Sequence, residues 1–107
     1  KHWVWLHHSQ SNEENIRNMV NGYLKRNIPV GAINIDSGWS TGYNNFIWDK
    51  TKFPDPEKLV KDMHDLGIKV ILWMTSFINV ESSNYKEGYD NNYYLNDGAV
   101  IPWWHGK

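Results

Sequence analysis

The chain has 107 residues, enough for one small domain, and its 40% apolar and 21% charged content is that of a globular protein rather than a disordered one. A formal net charge of −1, with Lys and Glu interspersed, gives no electrostatic ground for nucleic acid or an acidic membrane as partner. No apolar run approaches the ~20 residues that span a bilayer, and the absence of cysteine excludes a disulfide scaffold and thiolate metal ligands while leaving the compartment open.

Residues 2–6 form an aromatic and β-branched run that predicts a first strand, followed by a short polar loop over residues 7–11. Ser11 with Glu14 three residues on reads as a capping box. Ile16, Met19, Val20, Tyr23 and Leu24 then recur at the spacing of one helical face. Asn27 suits a left-handed stop, and Ile28-Pro29 blocks continuation. Residues 30–35 read as a strand buried on both faces, with Asn34 its one polar member.

A loop rich in Gly, Asn, Ser and Trp occupies residues 36–54, and a loop of that length inside a compact domain points to function. Asp55-Pro56 then supplies an N-cap and a first-turn proline, Leu59, Val60, Met63 and Leu66 a buried stripe, and Gly67 a stop. Residues 68–74 predict a third strand. Residues 82–92 suit a helix packing through Tyr85 and Tyr89, and residues 93–95 and 100–103 suit a hairpin across Asn96-Asp97-Gly98. The aromatic start without Met and the Trp103-Trp104-His105-Gly106-Lys107 end give the expectation of a partial domain over residues 1–107, truncated at both ends.

Strand, helix, strand, helix, strand is the rhythm of a parallel α/β fold. An open doubly wound sheet would carry a glycine-rich phosphate loop after its first strand, and no glycine follows Leu6 there. In a (β/α)8 barrel, function gathers where strands end, and those ends hold His7, Asp36, Trp39, Trp73 and Asn79. The expected fold class is therefore α/β, a fragment of a TIM barrel covering about the first three βα units.

Asp36 follows a buried strand directly and is flanked by Ser37-Gly38-Trp39, so it projects from the carboxyl face, where an ionised carboxylate can accept two sugar hydroxyls. Its plainer alternative is a cap of its own turn. Sugars present a polar edge and a C–H face, so carboxylates and flat rings together suit them, and Trp39 and Trp73 supply such rings. Trp73 could equally be core. Trp103 and Trp104 are adjacent, so one would line a site while the other packs. His7-His8 lacks a third ligand at recognisable spacing, and neither a metal nor a cofactor is expected. His64 suits a surface position, and Asp49, Asp55, Glu57, Asp62 and Asp65 suit caps or solvated charges.

In order and spacing, the elements Pro29-Val30, Ile35-Asp36, Trp39, Phe46-x-Trp48-Asp49, Phe53-Pro54-Asp55-Pro56, Leu66-Gly67-Ile68-Lys69-Val70, Trp73, Phe77-Ile78-Asn79, Gly88-Tyr89 and Trp103-Trp104-x-Gly106 resemble glycoside hydrolase family 31, the retaining α-glycosidases. The nearest branch is that of the myogenesis-regulating glycosidase and the bacterial α-galactosidase- and α-xylosidase-like enzymes. The resemblance implies a hydrolase of α-galactosides, α-xylosides or α-glucosides acting by double displacement. It implies that Asp36 grips hydroxyls of the sugar at the cleavage site, that Trp73 and Trp103 or Trp104 wall the same subsite, and that His7 stands where the family often has an aromatic. The nucleophilic and acid/base aspartates are implied to lie beyond Lys107, so the segment binds an oligosaccharide or glycoside and needs the remainder of its own barrel. Alternatives are the barrel of a related α-galactosidase superfamily and a non-catalytic glycan-binding barrel.

Overall fold

The computed structural model describes residues 2–107, in two compact units: residues 2–39 with Trp48–Trp73, and Ser40–Ile47 with Met74–Lys107. The first unit contains strands β1 (His2–Trp5), β2 (Val30–Ile35) and β3 (Lys69–Leu72), alternating with helices α1 (Glu13–Lys25) and α2 (Pro56–Asp65). The strands form one parallel sheet in the order β1-β2-β3. Sequential order with right-handed crossovers puts both helices on one face, as in a barrel wall and unlike a doubly wound sheet.

Register sorts the side chains. Val4, Ile33 and Val70 are aligned across the three strands, and Trp5, Asn34 and Ile71 form the next row. Because side chains alternate, Val4, Leu6, Ile33, Ile35, Val70 and Leu72 share the helix-covered face, where they pack with Ile16, Val20, Phe53, Leu59, Met63 and Ile68. The other face carries Trp3 and Trp5, 71% and 53% exposed. In a closed barrel that face becomes the interior.

The helices start and stop for identifiable reasons. The expected cap of α1, Ser11, is displaced by Asn12, whose Oδ1 accepts the Asn15 N–H at 2.8 Å. Glu13 N–H bonds instead to Lys52 O at 2.9 Å, a tertiary anchor that enters the helix one residue later. Asp55 caps α2 by accepting the Lys58 N–H at 3.0 Å, with Pro56 at its first position. Both helices end in a Schellman motif with a left-handed residue, Asn27 at φ 58 and Gly67 at φ 73. In these motifs Ile28 N–H bonds to Tyr23 O and Ile68 N–H to Met63 O. Ile68 thereby belongs to the cap and β3 begins at Lys69; Ile68 also takes the buried place expected of Leu66, which is 54% exposed.

In the second unit the helix α3 (Tyr85–Asp90) is shorter than expected. Its N-cap residue Asn84 makes no cap bond, because its side chain joins Ser82 Oγ and Asn44 O. A third Schellman end follows at Asn92, φ 56, with Tyr93 N–H bonded to Gly88 O. Asn96 and Asp97 take the left-handed conformation suited to a tight turn, yet the flanking segments form no strands. Tyr93, Leu95, Val100 and Ile101 are all exposed, so no buried face fixes a hairpin register.

Arg17 ties the two long helices together, bonding Glu13 at 2.9 Å and Asp62 at 2.7 Å. Partial burial opposes its charge, but these two carboxylates hold its pKa above the ordinary value. Asp62 is held below the usual carboxylate range by hydrogen bonds from Lys58 first and Arg17 second. A depressed carboxylate contributes stability above its unfolded pKa, about 3.9, and loses it as pH falls through its folded value. Thermal melts of the intact protein are therefore expected to show Asp62→Asn less stable than wild type at pH 6, with the gap closing as pH falls below about 4. Phe53 is the largest of the fully buried side chains, and Phe53→Ala is expected to cost about 3–5 kcal/mol in denaturant unfolding of the intact protein.

Candidate functional site

Continuing the alternation beyond each strand puts His7, Asp36 and Trp73 on the face opposite the helices, at the carboxyl ends of β1, β2 and β3. They follow three neighbouring parallel strands of the first unit, Asp36 and Trp73 directly after the paired residues Ile35 and Leu72, and His7 two residues after Trp5.

Asp36 is half-buried and begins the turn that leaves β2. Its Oδ1 accepts the Ser37 N–H at 2.7 Å, and its carbonyl accepts the Trp39 N–H at 3.1 Å, closing the single 3-10 turn Ser37–Trp39. The turn-capping alternative is thus realised in part, but a carboxylate offers about four acceptor positions and this bond engages one. One row below, the Oδ1 of Asn34 is buried with no hydrogen-bond partner among the described residues.

Trp73 is half-buried, and its backbone is pinned on both sides. Its N–H bonds to Ile35 O at 2.9 Å, and its carbonyl accepts the indole N–H of Trp39 at 2.8 Å. The Trp39 ring is only 4% exposed and packs edge-on to Trp48 at 5.0 Å, with Trp48 in turn edge-on to Phe53 at 5.2 Å. Trp39 is therefore core in this unit, and its polar atom serves the backbone of Trp73. Asp49 belongs to the same support: its N–H bonds to Trp39 O, and its carboxylate accepts from the N–H and hydroxyl of Thr51. Those Thr51 bonds lower its pKa.

His7 is exposed. Its Nδ1 lies 2.9 Å from Ser9 Oγ and accepts the Ser9 N–H at 3.4 Å, so the ring caps the turn His8–Gln10, edge-on to Trp5 at 6.2 Å. His64 is exposed on α2.

The second unit holds the other two candidates. Trp103 is half-buried, stacked on Phe77 at 5.6 Å and edge-on to Tyr43 at 5.3 Å, with its Nε1 donating to Asn79 Oδ1 at 2.6 Å. Trp104 is 77% exposed. Of the adjacent pair, Trp103 packs and Trp104 faces outward. Sequence reasoning gave Asn79 only a strand-end place and missed Asn44. Asn44 is buried and left-handed, donates to the carbonyls of Thr75 and Phe77, and accepts the Thr75 N–H. The one signal was an unusual wealth of asparagine near turns.

The glycosyl hydrolases family 31 TIM-barrel domain matches residues 3–107 of the chain. Alpha-xylosidase XylQ of Lactiplantibacillus pentosus is 36% identical over 95 residues, 85% of this chain and 12% of that protein. The myogenesis-regulating glycosidase of Mus musculus is 24% identical over 109 residues, covering 96% of this chain and 15% of that one. Among solved structures, a GH31 dextranase of Flavobacterium johnsoniae complexed with glucose superposes with TM-score 0.80 at 26% identity, over 97% of this chain and 13% of the dextranase. A soil-metagenome GH31 alpha-xylosidase complexed with xylose shares the fold at TM-score 0.74 and 18% identity, over 85% of this chain and 13% of that one. The chain thus spans about an eighth of the lengths of these relatives.

Trp39→Phe keeps an aromatic ring but leaves the Trp73 carbonyl without its donor. The substitution is expected to lower the stability of the intact protein by about 1–3 kcal/mol in thermal or denaturant unfolding. An unchanged melt would show that the indole bond is not what pins Trp73.

Proposed function

The chain belongs to glycosyl hydrolases family 31, and from that premise we propose that it is part of the catalytic barrel of a retaining α-glycosidase, supplying sugar-binding groups. Residues 1–107 are read as a partial barrel domain, in keeping with the small share of each relative that they cover. The reaction class is hydrolysis of O-glycosyl bonds in an α-xyloside, α-glucoside or α-galactoside. The first two classes are supported by relatives named alpha-xylosidase and alpha-glucosidase.

The observation that carries the reading is Asp36 and Trp73 at the carboxyl ends of adjacent parallel strands, on the face that a barrel turns inward. Asp36 has acceptor capacity for sugar hydroxyls, and charge-assisted bonds of that kind are about twice as strong as neutral ones. Trp73 offers a ring for the C–H face, on a backbone held from both sides. Trp39 contributes by holding Trp73, His7 by its place at the end of β1, and Trp104 by an exposed aromatic face with Trp103 packed behind it in sequence.

Double displacement needs two further carboxyl groups about 5–5.5 Å apart, one attacking the anomeric carbon and one protonating the leaving oxygen. In this reading both stand outside residues 1–107, and the role of Asp36 is to orient the sugar for them.

In the intact protein, Asp36→Ala is expected to lower kcat/KM on an aryl α-glycoside about a hundred-fold or more, since it removes charged bonds to the substrate. Asp49→Ala, which removes a turn cap, is expected to lower the melting temperature while reducing kcat/KM less than about ten-fold. Comparable kinetic losses for the two variants would contradict the assignment.

A further inference from the structure

We propose that Asn79 is the positioning residue for Trp104, fixing the turn that presents this exposed ring; the inference rests on the sugar-binding reading of Trp104 given above. Trp103 and Gly106 close a four-residue turn by reciprocal backbone bonds, Trp103 N–H to Gly106 O at 2.9 Å and Gly106 N–H to Trp103 O at 3.2 Å. Trp104 and His105 are its two tip residues, with ring centroids 4.1 Å apart, and His105 stacks on Tyr43 at 4.4 Å.

Asn79 lies beneath this turn, only 6% exposed. Its Oδ1 accepts the Trp103 indole N–H at 2.6 Å, and its Nδ2 donates to His105 O at 3.0 Å. One amide therefore holds the residue before Trp104 and the residue after it. The next residue along, Val80, donates its N–H to Lys107 O at 2.8 Å, so the chain beyond the turn is anchored as well. Gly106 makes the approach possible. Its φ of 143 suits glycine, and a Cβ there would stand 2.5 Å from Asn79 Nδ2.

The residue type follows from this geometry. The position needs an acceptor and a donor on one short planar group: a carboxylate offers no donor to the His105 carbonyl, and a leucine offers neither bond. An exposed tryptophan on an unclamped turn would lose conformational freedom when a sugar seats against it, and a clamped turn has already lost it. The clamp thus acts on binding of ground state and transition state alike, which predicts an effect on KM rather than kcat.

The test is made in the intact protein with p-nitrophenyl α-xyloside, α-glucoside and α-galactoside for kcat and KM, and with free xylose, glucose and galactose for Kd by calorimetry. Trp104→Ala serves as reference. Asn79→Leu is expected to raise KM and Kd about ten-fold with kcat within about three-fold of wild type. Asn79→Asp and Trp103→Phe, each removing one of the two bonds, are expected to give about three-fold increases. Gly106→Ala, which displaces the amide without altering it, is expected to resemble Asn79→Leu. Should Asn79→Leu fail to fold, Trp103→Phe and Asn79→Asp carry the same comparison. If Trp104→Ala weakens binding while these variants keep wild-type KM and Kd, or lose kcat alone, the positioning role is overturned. If Trp104→Ala itself changes neither KM nor Kd, the sugar-binding reading of Trp104 falls, and this inference with it.

Discussion

The two-residue period of β2 is the constraint on which the rest of the first unit depends. Ile33 and Ile35 must enter the core under α1 and α2, and that obliges Asn34 and Asp36 to lie on the opposite face. The parallel register then sets Trp5 and Ile71 beside Asn34. A slip of one residue would bury the carboxylate against the helices and expose two isoleucines, so the packing energy of the core also fixes the face on which Asp36 lies. The interactions behind the sheet follow the same logic: Phe53, Trp48 and Trp39 pack in series, and the one polar atom of Trp39 reaches the backbone of Trp73.

Much of this was legible because it rests on local chemistry. The span of β2, the Asp55-Pro56 start, the left-handed stops at Asn27 and Gly67 and the parallel βα rhythm all follow from short-range preferences. The placing of Asp36 at a strand end required only the hydrophobic run before it. The misreadings arose where a distant group competed with a local one. Ser11 lost the helix cap because Lys52 O takes the Glu13 N–H, and Leu66 lost its core position to Ile68 because the Schellman turn redirects the chain. Trp39 was read as a pocket wall from its place in the loop, while the depth of its burial depends on Trp48 and Phe53 further along.

The second unit is held by a different means. It lacks a sheet, and its loops are joined by asparagine side chains, two buried and one half-buried: Asn44 to the Thr75–Phe77 backbone, Asn79 to the Trp103–Gly106 turn, and Asn84 to Asn44 O. Tyr94 adds a bond to Tyr85 O, passing over Gly88, where a side chain would collide with its hydroxyl. Such links connect non-periodic segments tens of residues apart, so no repeat in the sequence announces them. The expected hairpin failed for the same reason: the Asn96-Asp97 turn formed as its residues dictate, but its flanks had no buried face to align them.

The central claim is that Asp36 holds sugar hydroxyls at the end of β2 while Trp73 faces the ring beside it. A crystal structure of the intact protein with xylose, glucose or galactose bound tests it most directly. The expected result is a sugar with hydroxyl oxygens about 2.5–3.0 Å from the Asp36 carboxylate and its C–H face within about 4.5 Å of the Trp73 ring. A sugar seated elsewhere in the barrel, with Asp36 bonded only to the turn that follows it, would contradict the account.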